Sequence, residues 1–412
     1  MRISSTLFFQ TGLNSINAQQ SDLMHLYQQI GSGQRMVTPA DDPLAAAQAI
    51  NISQSQSLNK RFAENRSVLN QNLGIEENTL NSVTTLLQDV KTRLIEAGNG
   101  TMSDADRATL SNVLSIARTN LLSLANATDG SGQYLFSGAK GNVKPFQEGV
   151  LGVVYEGDQF QRKIQADQTR TIAGSDVGTD VFSRAAPGTT GYLSSAAAGN
   201  TGTAVVGSPA ITDPRGEHIG HTFTIAFTSA TDYTVTITDA NGANVGSGTG
   251  SGYVAGSTDH LTLPGGVQVS ISGTPQEDDV FVVEPISTAD DLNVFKTLDG
   301  IIAALADPTL GDTVNAAKFQ NALGSAIQRM DVTYNNVLTV RASVGARMNE
   351  IDALDANGAQ RALSYSNQLS KMEDVDYYSA TAQLQLRTAA LEAASLAFRK
   401  IQATGLFNMG SN

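Results

Sequence analysis

Apolar positions repeat every seven residues at the two ends of the chain and every two residues in its middle. Phe9, Ile16, Leu23 and Ile30 form one line near the start, with Leu13 and Tyr27 in the alternate step. Near the other end Leu384, Leu391 and Phe398 form a line, with Ala380, Ala394 and Ile401 between them. A sustained seven-residue repeat marks a helix that packs on another helix. The spacing predicts helices over 3–30, stopped by Gly31-Ser32-Gly33, and over 374–401. A longer helix is predicted from Pro43 to Glu96. Phe62, Leu69, Val83 and Val90 make one of its lines; Leu73, Leu80, Leu87 and Leu94 make the other. Arg66 and Glu76 fall on seam positions and weaken a strict two-stranded seam. The natural partner is the helix in which Leu323, Met330, Val337, Val344 and Ile351 lie seven apart. Ile327, Tyr334 and Met348 fill its second register, with Arg341 as the charged member. Asp42 is placed to cap the 43–96 helix, with Pro43 at its first position. Ser103 to about Asn126 predicts a further helix with Asp104 and Asp106 in its first turn.

Between these arms the period changes. Gly152 to Asp158 reads as a strand ending in a turn, with Arg162 to Ala166 as its hairpin partner. His221–Thr228 and Tyr233–Thr238 alternate apolar and polar residues, Asn241-Gly242 signals a tight turn, and Val267–Ile271 and Val280–Val283 follow. Residues 186–210 read either as part of this unit or as a flexible linker. Helix returns at Ala289. The fold class is therefore α+β: long antiparallel helical arms, coiled-coil or bundle, formed by the N- and C-terminal regions, with an inserted antiparallel β domain. The expected domains are a terminal helix over 1–42 that joins 374–412, a helical arm with a β-hairpin region over 43–182 that joins the returning arm 288–373, and an outer β domain over 183–287.

The last helix is apolar on two faces. Leu384, Leu391 and Phe398 lie on one; Leu386, Ala389, Ala390, Ala393, Leu396 and Ala397 lie on the other. Such a helix needs neighbours on both sides. Burying a large side chain contributes about 1.5–3 kcal/mol, whereas ordering each backbone residue costs about 1–2 kcal/mol. Helices of this length are marginal alone, so the terminal segments are expected to order when several copies pack. Identical subunits in head-to-tail contact form rings or helical tubes. The residues expected to carry self-assembly are Phe9, Leu13, Ile16, Leu23, Tyr27, Ile30, Leu384, Leu386, Leu391, Leu396, Phe398 and Ile401. The 62–94 and 323–351 lines are expected to form an intramolecular seam.

The formal net charge is −13. Between Ala186 and Phe295 Arg215 is the single basic residue against eleven acidic ones. A surface so acidic repels nucleic acid and anionic lipid, and neither is an expected partner. No cysteine is present, so no disulfide or thiolate chemistry is available. The start lacks the pattern of a cleaved secretory signal. His218 and His221 with Glu217 or Asp213 lack the third imidazole or ordered carboxylate spacing of a metal site. Asp278-Asp279 and Asp290-Asp291 lack the alternating oxygens of a calcium loop. Asp41-Asp42-Pro43 reads as a turn and cap rather than an acid–base pair, and no Lys-Ser/Thr follows the glycines of 246–252. No catalytic, cofactor-binding or metal residue is assigned, no cofactor is expected, and the chain is not expected to be an enzyme. A glycan-binding or enzymatic role of the β domain is the remote third class.

Several segments carry a family resemblance. Met1-Arg2-Ile3-Ser4, Ser32-Gly33-Gln34-Arg35 and Asp41-Asp42-Pro43 resemble the N-terminal region of the flagellin superfamily. Ser131-Gly132-Gln133-Tyr134-Leu135-Phe136-Ser137-Gly138 with Pro145-Phe146, Asp374-Val375-Asp376-Tyr377 and the ending Gly405-Leu406-Phe407-Asn408-Met409 resemble its hook-associated protein 3 family. The resemblance covers roughly 1–182 and 290–412. It implies a structural protein of the bacterial flagellum, extracellular and exported through the flagellar type III apparatus without cleavage. It further implies a short zone of copies between the hook, capped by hook-associated protein 1, and the flagellin filament. The terminal helices would line the inner tube and the β domain would face outward. An export chaperone would hold about 374–405. The alternative is a flagellin that forms the filament itself; typical flagellins end differently and usually lack the Tyr-Leu-Phe-Ser-Gly segment.

Overall fold

A computed structural model describes residues 5–150, 152–255, 260–287, 289, 292–307, 309 and 311–407; for 5, 6, 8 and 401–407 it describes the backbone alone. Met1 to Ser4, Asn408, Met409, the Asp290-Asp291 pair and the Ile401 side chain lie outside the described residues. The first three helices are α1 (Ser5–Ser32), α2 (Pro43–Ala97) and α3 (Asp104–Ala125). Four short strands follow: β1 (Phe146–Gly149), β2 (Gly152–Tyr155), β3 (Lys163–Asp167) and β4 (Arg170–Ala173). After the one-turn α4 (Gly178–Phe182) come β5 (Tyr192–Ala196), β6 (Val205–Val206), β7 (Ala210–Ile211), β8 (Thr222–Phe227), β9 (Tyr233–Thr238), β10 (Asn244–Gly250), β11 (His260–Leu263), β12 (Val267–Ser272) and β13 (Val280–Pro285). The chain closes with α5 (Val294–Ala306), α6 (Thr313–Glu373) and α7 (Tyr377–Phe407). The α+β class is the one the residue patterns predict.

Two compact units are present: Met1–Glu64 with Ala353–Asn412, and Asn65–Asp352. In the larger unit α2 and α6 run antiparallel. Arg341 donates to Glu77 at 2.6 Å, Gln88 Nε2 donates to Tyr334 Oη at 2.6 Å, and Lys91 pairs with Asp331. Leu69, Leu73, Leu80, Val83, Leu87, Val90 and Leu94 on α2 are buried, as are Leu323, Met330, Val337, Val344 and Ile351 on α6. Ile327, Tyr334 and Met348 are half-buried, as is Phe62 in the smaller unit. Arg66 and Glu76 sit on this seam fully buried because a third layer meets α2 there. Arg66 Nη1 donates to Ala166 O at 2.9 Å, and Glu76 Oε1 accepts from Asp176 N at 2.9 Å.

That layer differs from the sequence expectation. The partner of β2 is β1, with Phe146 opposite Tyr155 and Gly149 opposite Gly152; the 162–166 strand pairs instead with β4. The reason is local. Gly152 adopts φ +106°, which supplies the tight two-residue connection between Gly149 and Gly152. Phe146 and Tyr155 then stack with Phe182, Phe136 and Phe295 in an aromatic cluster. Tyr155 Oη donates toward Phe136 O at 3.0 Å and Asp158 O at 2.8 Å, and burial pushes its pKa up to about 12. Gly138, at φ +70°, faces Asp158 so closely that a Cβ would lie 2.2 Å from its carboxylate. This explains the glycine that ends Tyr134-Leu135-Phe136-Ser137-Gly138.

The β domain is two antiparallel sheets. One has strand order β10-β9-β8-β13-β5; the other has order β11-β12-β6, with β7 also on β12. Phe223, Ile225, Phe227, Val235, Ile237, Phe281 and Val283 from the first pack against Val267, Val269 and Ile271 of the second. Residues 186–210 are not a linker. Tyr192, Ala204 and Val206 belong to this core, and Asn321 of α6 pairs with Val206 N at 2.8 Å and Ala204 O at 2.9 Å, fixing the segment to the helix. Gln328 and Arg329 of α6 add bonds to Ser194 N and Glu284. The returning helix is also in two pieces. Asn293 caps α5, whose face packs on α3, and Asp312 Oδ1 caps α6 by accepting from Val314 N and Asn315 N at 3.0 Å.

Candidate assembly interface

α1 and α7 pair antiparallel in the smaller unit. Phe9 and Phe398 meet ring to ring at 5.1 Å, and Asp22 pairs with Arg387. At Gly12 the helices approach so closely that a Cβ would lie 3.1 Å from the Phe398 ring. Gly33, at φ +73°, ends α1 and lies beside Tyr377 Oη. A short strap fastens this end. Val375 N donates to Gly33 O at 2.9 Å, Arg35 N donates to Glu373 O at 2.6 Å, and Gln34 bridges Asp374 antiparallel. Arg35 Nε adds a bond to Met372 O at 3.1 Å.

Asp41 and Asp42 build the turn into α2. Asp41 Oδ2 accepts from Val37 N and Thr38 N at 2.9 Å, and its Oδ1 meets His25 at 3.0 Å. These donors, the Thr38 amide first, hold the Asp41 carboxyl below its usual range. Asp42 Oδ1 accepts from Ala45 N at 3.1 Å, which caps α2.

The stripe between α1 and α7 is not quite the one the apolar residues trace. On α7 Ala380 is buried and Leu384, Arg387, Leu391, Ala394 and Phe398 are half-buried, so the seven-residue line faces α1. On α1 Ile16, Leu23 and Ile30 are half-buried, but the second register is Gly12, Gln19 and Leu26 rather than Leu13 and Tyr27. Leu26 is buried, while Phe9, Leu13 and Tyr27 are exposed. A line of positions seven apart can be flanked on either side, and the close approach at Gly12 decides which flank turns inward. Gly12, Leu26 and the Asp22–Arg387 pair were absent from the sequence expectation: a glycine and an ion pair do not register in an apolar count, and Leu26 shares its register with Gly12 and Gln19, which break the apolar line.

What remains uncovered is as informative. On α7 Leu386 is 72% and Leu396 57% exposed, and Ala389, Ala390, Ala393 and Ala397 on the same face are exposed. On α1 Leu7, Met24 and Tyr27 are exposed as well. Each helix covers one face of the other and keeps a second apolar face open. Among the described residues no group of three or more His, Asp or Glu is placed to hold a metal ion, and no helix is long and apolar enough to cross a membrane.

A family profile, the bacterial flagellin N-terminal helical region, matches residues 3–141. Over 409 residues the chain is 29% identical to flagellar hook-associated protein 3 of Salmonella typhimurium, covering 99% of both chains. The crystal structure of flagellar hook associated protein-3 from Legionella pneumophila is similar with a TM-score of 0.67 at 25% identity, over 78% of this chain and 98% of that one. B-type flagellin of Pseudomonas aeruginosa is 30% identical over 140 residues, which span 33% of this chain and 28% of the flagellin. Paired chain ends, helical arms and the N-terminal match define a flagellin-type protein. The match to this flagellin spans 33% of the chain, whereas the match to hook-associated protein 3 spans 99% of it. Along its full length the chain is similar to flagellar hook-associated protein 3.

Proposed function

We propose that this chain is a structural subunit that joins the flagellar hook to the filament and assembles through α1 and α7 after type III export. The observation that carries this reading is the pair of terminal helices, each covering one face of the other and leaving a second apolar face open. Leu386 and Leu396 on α7, and Leu13, Met24 and Tyr27 on α1, are the surfaces a neighbouring copy would cover. Burying such side chains contributes about 1.5–3 kcal/mol each, and head-to-tail repetition of the contact closes a ring or a helical segment.

The domain assignment follows from the same reading. Residues 1–42 with 374–412 form the inner layer, the α2–α6 arms form the middle one, and 183–287 faces outward. Its neighbours are hook-associated protein 1 on the hook side and flagellin on the filament side. Before export a chaperone holds about 374–405, where the open face of α7 would otherwise be exposed. The role is architectural rather than catalytic. A filament-forming flagellin is the weaker reading, because the match to B-type flagellin spans 33% of the chain and the match to hook-associated protein 3 spans 99%.

Deleting the gene in the motile source organism tests the proposal. The expected result is cells with hooks, no filaments and flagellin monomer in the medium, reversed by supplying the gene in trans. Normal filaments and swimming in the deletion strain would overturn it.

A further inference from the structure

We propose that Glu76 is a neutral carboxylic acid in the folded protein, and that its ionisation releases the 174–182 segment from α2 and α6, so that the docking of this segment is a proton-dependent latch. Glu76 lies on α2 with 0% of its surface exposed. Its Oε1 accepts from Asp176 N at 2.9 Å, while its Oε2 is buried and meets no hydrogen-bond donor among the described residues. An anionic oxygen in that position has nothing to replace the water it lost.

The surrounding charges do not supply the missing partner. Asp176, itself buried, sets a second carboxyl beside Glu76. Arg347 of α6 is the cation that faces both. Its Nη2 is bonded to Asp176 Oδ2 and its Nη1 donates to Ala173 O at 3.1 Å. Gln161 Nε2 donates to the other Asp176 oxygen at 2.8 Å. Arg347 and Gln161 thus both engage Asp176 rather than Glu76. Next along α2, Glu77 is paired with Arg341 of α6, so that cation is engaged away from Glu76. Burial, followed by the Asp176 charge, pushes Glu76 well above the ordinary value of 4.5; Arg347 and the Asp176 amide offset only part of this.

The latch has a defined load. Beyond Asp176 the chain enters α4, whose Gly178 N donates to Phe136 O at 2.9 Å and whose Asp180 and Val181 carbonyls accept from Asn336 of α6. Phe182 then enters the aromatic cluster. The sign of the pH effect follows from the direction of the shift. A carboxyl raised by folding binds a proton that the unfolded chain releases above about 4.5. The stability it contributes is complete below that value and is lost as pH rises toward the folded-state pKa.

Hydrogen exchange of the full chain, corrected for the intrinsic pH dependence, tests this between about pH 5 and about pH 9. In the wild type, the opening equilibrium of peptides covering 158–182 is expected to rise about tenfold per pH unit within the window. Glu76→Gln keeps the acceptor for Asp176 N and is expected to flatten the dependence and retain protection at high pH. An opening equilibrium independent of pH in the wild type, or an unchanged slope in Glu76→Gln, would overturn the proposal. Infrared spectroscopy of the wild type gives a second readout that needs no variant to fold. A protonated carboxyl band at neutral pH is expected, and its absence would equally overturn it.

Discussion

A Leu391→Asp chain is expected to leave hooks without filaments even though its larger unit folds normally. Leu391 faces α1 in the line that runs from Ala380 to Phe398. The substitution removes about 1.5–3 kcal/mol of apolar burial and brings a carboxylate to a surface where the described cation, Arg387, is already engaged by Asp22. Helices of this length have little stability to lose, so the α1–α7 pair should separate. Gly12→Leu is expected to act alike, because its side chain would enter the space of the Phe398 ring. The check is complementation of a deletion strain, with filaments counted by electron microscopy. Normal filament numbers with both variants would remove the terminal pair from the account. Leu386→Asp separates assembly from folding. That residue is 72% exposed in the single chain, so thermal unfolding should be nearly unchanged while complementation fails.

Leu80→Ala is expected to have the largest effect on folding. Leu80 is fully buried on α2, among Leu73, Val83 and Leu87 on the same seam. Truncating a leucine in such a position costs about 2–5 kcal/mol, the higher figure where the surroundings cannot collapse into the cavity. Long helices held on both sides relax poorly, which favours the upper part of that range. Urea unfolding of the full chain, followed by circular dichroism, measures it. A loss below about 1 kcal/mol would mean that the seam is not close-packed at this position.

The parts of this fold most legible in the residues were those held by long-range repetition. Seven-residue spacing located α1, α2, α6 and α7, because a helix buried along one line must repeat its apolar residues on that line. Alternation located β8 and β9 because one face of each strand enters the sandwich core, and the short apolar segments Val267–Ile271 and Val280–Val283 located β12 and β13. Legibility failed where the deciding contact comes from another element. The choice between Leu13 and Leu26 depends on how close α7 comes at Gly12. The partner of β2 depends on a glycine turn at 149–152 and on where Phe146 finds other rings. Arg66 and Glu76 read as flaws in a two-helix seam, and they become intelligible once Ala166 and Asp176 are seen to cross it. The break between α5 and α6 was marked by Asp307, Gly311 and Asp312, but the continuing apolar pattern on both sides concealed it.

Electron cryomicroscopy of isolated flagella, with this chain tagged in the 241–243 turn, tests the central claim most directly. The account predicts that the tag decorates one short zone between hook and filament, with α1 and α7 density against the central channel. A tag distributed along the filament would make the chain a filament subunit, and density for α1 and α7 at the outer surface would contradict assembly through the chain ends.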